Sequence, residues 1–110
     1  MDKRALIERL LALPVEIEAA EKQLSDMSRT VDEAKRQAEV IENDPIMGVY
    51  YTSENKAERE ARILALTMTK EEVTEAETWL NVSRVGYNKL MNEFRALQAV
   101  AGLLSKEDTL

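Results

Sequence analysis

Cysteine and histidine are both missing from this sequence. Their absence removes disulfides, thiolate metal ligands, the commonest nitrogen ligand and the side chain that exchanges protons near neutral pH. Any catalysis would have to run on carboxylates, lysines and hydroxyls, so no enzyme and no cofactor are expected. Glycine and proline together number five and aromatics make up 5% of 110 residues, which leaves few turn signals and no aromatic-rich core. Long hydrophobic runs are absent too. The run Leu10 to Val15 is hemmed in by Glu8, Arg9, Glu16 and Glu18, too short for a signal core and far below the roughly 20 apolar residues of a membrane span. The expectation is a cytoplasmic protein with no membrane partner.

What is present is a helix-forming alphabet of Leu, Ala, Glu, Lys, Arg, Val and Met, with 33% charged residues. Acids outnumber bases 21 to 15, a net charge of −6. A blanket attraction to DNA or to an anionic membrane is therefore not expected, and such binding would need a local patch.

Between Leu66 and Leu104 side chains fall on one line in steps of three and four: Leu66, Thr69, Val73, Ala76, Leu80, Ser83, Tyr87, Leu90, Phe94, Leu97, Ala101, Leu104. This is the seam of a helix that requires a partner. At 1.5 Å per residue it is a rod on the order of 58 Å long. A second seam runs through Ile17, Ala20, Leu24, Met27, Val31, Ala34, Ala38 and Ile41, and its alanines allow close approach of a bulkier neighbour. Asp2 is placed to cap a short first helix over about 2–13, with Leu6, Leu10 and Leu13 on one face. Pro14 predicts a kink or a restart there, leaving one bent helix and two separate helices both open. Asn43-Asp44-Pro45 and Gly48 mark a connection over 44–52, and Thr52 or Ser53 is placed to start the return helix. Thr69-Lys70-Glu71-Glu72 also has the form of a capping box, although Thr69 stays in phase with the seam on both sides.

The predicted fold is therefore all-α: one domain, an antiparallel helical hairpin or coiled coil with helices over about 2–13, 14–43 and 53–105, the last being the long one. With the loop centred near residue 48, Val31 is expected level with Leu66, Leu24 with Val73 and Ile17 with Leu80. Nothing then remains to cover the end of the long seam. Leu90, Met91, Phe94, Leu97, Val100, Ala101 and Leu104 are accordingly candidates for self-association into a homo-oligomer, or for a helical partner.

Charge follows the same geometry. Residues 14–44 carry nine acids and four bases, whereas 1–13 and 77–104 are each +1. On the expected register Lys3, Arg4 and Arg9 lie beside Arg84, Lys89 and Arg95, the best candidate for an anion-binding patch; a solvated helix surface is the plain alternative. Trp79 flanks the seam and either widens the packing or stacks on a base. The carboxylate pairs Glu71-Glu72 and Glu58-Glu60 read as exposed charge, since paired catalytic acids need a water-excluding pocket.

The stretch Thr52-Ser53-Glu54-Asn55-Lys56-Ala57-Glu58-Arg59-Glu60-Ala61, a polar helix start with Asn and Arg four apart, leads into a heptad run that ends in Asn92-Glu93-Phe94-Arg95-Ala96-Leu97. Over residues 52–104 this pattern resembles small helical phage proteins, found among recombination genes, that are described as similar to the recombination mediator of T-even phages. The resemblance implies a non-enzymatic, self-assembling protein that binds single-stranded DNA and helps load a recombinase or annealing protein. It also implies Asn55, Lys56 and Arg59 as motif residues. Such mediators lean basic, and this chain is acidic. The competing expectation is an inhibitor or adaptor of the anti-defence kind that docks its acidic arm on a basic partner protein.

Overall fold

The computed structural model describes residues 2–42 and 56–109. Helix α1 runs over Lys3–Glu42 and helix α2 over Lys56–Thr109; the two make the predicted hairpin, with the longer helix second. The connection over 44–52, the caps at Thr52 or Ser53 and the motif residue Asn55 lie outside the described residues.

Asp2 caps α1 as its chemistry requires: its Oδ1 accepts the Ala5 N–H at 2.6 Å and its carbonyl accepts the Leu6 N–H at 3.0 Å. The helix then continues through Pro14 without a break. A proline costs its helix one hydrogen bond and crowds the preceding turn. Here it stands on an exposed face, and the 3-4 spacing of Leu6, Leu10, Leu13 and Ile17 passes through it unbroken. The expected short first helix is thus the opening turns of α1. Helix α2 is continuous across Thr69, whose Oγ1 donates to the Ala65 carbonyl at 2.8 Å. Thr67, Thr74 and Thr78 each bond the carbonyl four residues back in the same way. The hydroxyl at the candidate cap is thus satisfied within the continuous α2.

Every residue of the two predicted seams is buried or half-buried. The chain divides into two compact units, Met1–Ser25 with Val82–Leu110, and Asp26–Asn81. In the first unit Leu6 and Leu13 are buried, with Leu13 fully enclosed. In the second the buried apolar residues are Val31, Ala38 and Ala76.

The register differs from the expected one, and side-chain pairs on the flanks of the seams define it. Arg9 with Glu93 stands on one flank; Lys35 with Glu77 and Glu42 with Lys70 stand on the other. The layers between these flanks set Leu10 level with Leu97, Leu13 with Phe94 and Leu24 with Ser83 in the first unit. In the second they set Met27 level with Leu80, Val31 with Ala76 and Ala38 with Thr69. Against the expected pairing α2 is displaced by about ten residues, roughly 15 Å. Apolar layers repeat every seven residues and tolerate a slip of one heptad, but the flanks do not. One slip sets Lys35 opposite Lys70; the other sets Glu42 opposite Glu77.

Candidate docking faces

The register decides the fate of both patches expected from sequence. The end of the long seam is not left over. Ala101 and Leu104 line a groove with Leu6, Ile7 and Leu10 of α1, and Leu90, Met91, Phe94 and Leu97 are half-buried. Of the seven residues proposed as an uncovered stripe, only Val100 is exposed. The premise that α1 runs out before the seam ends came from centring the loop at residue 48, and it does not hold.

The basic residues are not gathered into one patch either. Arg9 Nε donates to Glu93 Oε1 at 2.6 Å and Nη2 to Glu93 Oε2 at 2.9 Å, a two-pronged pair, while Nη1 donates to Glu16. The hydrogen bonds from Arg9 hold the Glu93 carboxyl below the usual carboxylate range. The same bonds, accepted by Glu93 and aided by the nearby Glu16 carboxylate, raise the Arg9 guanidinium further above its already high value. Arg9 is thereby committed to carboxylates. Arg4 pairs with Glu8 at 3.3 Å. Arg84 is level with Gln23, twenty residues and about 30 Å along α1 from Lys3. Arg84, Lys89 and Arg95 are exposed on α2. In the other unit Lys56 pairs with Glu60 at 3.8 Å and Arg59 is half-buried.

A different surface emerges in the unit Asp26–Asn81. On the flank that carries Lys35–Glu77 and Glu42–Lys70, opposite charges alternate. The other flank has the opposite character. Thr30, Glu33 and Gln37 of α1 meet Glu72 of α2 around one shallow hollow, and Glu75 follows one turn on. Heptad phase brings Val40, Met68 and Trp79 to the same side, exposed by 66%, 54% and 54%. The bases of this unit, Arg29, Lys35, Arg36, Lys56, Arg59, Arg62 and Lys70, all occupy other heptad positions. Glu33 and Glu72 therefore meet across the two helices with exposed apolar side chains on the same side, while Glu75 also borders Lys70 around a second hollow on α2. Like charges set together cost stability, and a flank selected for the hairpin's own stability would alternate as its opposite does.

The local net charge agrees. Residues 26–81 hold 13 acids and seven bases, the whole of the −6, whereas 1–25 and 82–110 together hold eight of each. The sequence reading placed the acidity on α1 and missed the share on α2. The heptad positions of Glu72 and Glu75, read against those of Glu33, carry the signal that finds it. Trp79, expected to widen the packing or stack on a base, stands more than half exposed within this flank. Glu58, Glu60, Glu71 and Glu72 are exposed.

Among the described residues no group of carboxylates is placed to share a metal ion, and no helix is long and apolar enough to cross a membrane. No family model, curated protein or solved structure matches the chain.

Proposed function

We infer that this chain is a non-enzymatic docking protein, an adaptor or inhibitor, whose acidic and partly apolar flank receives a basic amphipathic segment of a partner protein. The observation that supports this is the flank itself: Glu33 and Glu72 around one hollow, with Glu75, Val40, Met68 and Trp79 at neighbouring heptad positions that no Lys or Arg of the unit occupies. Apolar anchors supply burial, while carboxylates steer a cationic partner and set its orientation.

Trp79 is the only tryptophan and so reports on the flank directly. Titration with a synthetic Lys/Leu amphipathic helix should shift its emission to the blue, with affinity falling as salt rises. The triple variant Glu33→Lys, Glu72→Lys, Glu75→Lys should lose the response. An unchanged emission, or equal binding by the triple variant, defeats the docking reading.

The second reading is the phage-type mediator that binds single-stranded DNA, and the exposed Arg84, Lys89 and Arg95 favour it. Its test is fluorescence anisotropy of a labelled oligonucleotide at low and moderate salt. Binding that weakens steeply with salt and disappears on charge reversal at these three positions supports it. No binding at low salt removes it.

A further inference from the structure

The unit Met1–Ser25 with Val82–Leu110 carries a feature that the docking flank does not use. On α1, Ile7, Leu11 and Val15 are exposed by 56%, 72% and 69%, in a line that starts at the rim of the groove, which Ile7 borders, and runs round to the outer side of the helix at Val15. They stand four residues apart, on one line within about 40° of Leu11. The line continues to Arg4 at one end and Glu18 at the other, so the spacing reads three, four, four, three about Leu11 as its centre. Reversed end for end, the stripe has the same spacing and apolar residues at the same places, and its positive end faces its negative end.

We propose that this stripe is the self-docking face of a two-fold symmetric dimer, in which the α1 helices of two copies cross antiparallel at Leu11. Leu11 meets Leu11 of the second copy, Ile7 meets Val15, and Arg4 of each copy stands opposite Glu18 of the other. A two-fold interface must be complementary to itself, and few helical surfaces of mixed charge are. Arg4 now pairs with Glu8 across a highly exposed surface, 91% and 68% for the two side chains, a contact weak enough to be shared. This unit holds equal numbers of acids and bases, so two copies can approach through it without net repulsion.

The test exploits the lack of native cysteine. Leu11→Cys should form a disulfide-linked dimer under mild oxidation, because only a residue near the two-fold axis can meet its own copy. Val85→Cys and Leu103→Cys, also more than half exposed, should not. By sedimentation equilibrium Leu11→Glu should raise the dimer Kd at least about 100-fold while leaving helicity unchanged, since Leu11 is mostly exposed. Arg4→Glu or Glu18→Arg alone should weaken the dimer roughly tenfold, and the two together should restore it. A monomeric mass at high micromolar concentration overturns the proposal. So does a dimer that survives Leu11→Glu or that cross-links no better at residue 11 than at 85. The docking flank lies in the other unit, so its Trp79 response stands or falls separately.

Discussion

Leu13 is fully enclosed and level with Phe94, in a molecule whose buried apolar residues, among those described, are few. Truncation there removes a large part of what holds its unit together. Leu13→Ala should cost about 3 kcal/mol in urea unfolding; a loss below about 1 kcal/mol would mean that the layer relaxes around the gap. Glu93 responds to pH. Its carboxyl titrates lower in the folded chain than in the unfolded one, so its pairing with Arg9 contributes fully above the unfolded value and is lost as acid protonates the folded group. Arg9, shifted upward, contributes at every pH below its unfolded value and adds nothing to the acid side. Stability should therefore fall as pH drops below about 4.5, and Glu93→Gln should flatten that part of the profile. An unaltered acid slope would show that the pair is screened too well to matter. Reading such a pair from sequence was feasible, since both residues flank their seams, but it required a register that the apolar residues alone do not supply.

At the scale of the helices, two interior residues work against their own element. Pro14 withholds a hydrogen bond from α1 on an exposed face. At Gly86 in α2 an added Cβ would meet nothing within 4 Å, so close packing does not explain this glycine. Gly86→Ala should stabilise by about 1 kcal/mol, and Pro14→Ala by about 2 kcal/mol once the looser unfolded chain is allowed for. Thermal denaturation followed by circular dichroism checks both, and a lowered midpoint in either would point to a contact at that position. Both seams were legible to the residue, because three-four spacing of apolar side chains has one physical meaning. The pairing between them was not legible from loop length, because apolar layers look alike every seven residues. What distinguishes the registers is the set of polar neighbours: Lys35 opposite Glu77 rather than Lys70, and Glu42 opposite Lys70 rather than Glu77. Of the two readings left open at Pro14, a single helix holds, for a related reason. A local penalty of a few kcal/mol is outweighed by a seam that continues in phase on both sides.

For the molecule as a whole, charge is the property most unevenly spread. Residues 26–81 carry the entire net charge, and Glu33 and Glu72 share one hollow. Raising salt from about 50 to about 500 mM should raise the midpoint of thermal unfolding by screening that repulsion, and Glu33→Gln with Glu72→Gln should blunt the rise. A midpoint that falls with salt would assign the larger electrostatic role to the attractive pairs, Lys35–Glu77 and Glu42–Lys70. The hollow has a further consequence in the cell. Whatever cation fills it relieves the repulsion only in the folded form, so occupancy and folding rise together. Where local opening exposes a chain to proteases, the fraction open sets its lifetime. A partner seated on this flank would then slow the turnover of the protein that holds it, and unoccupied copies would be cleared first.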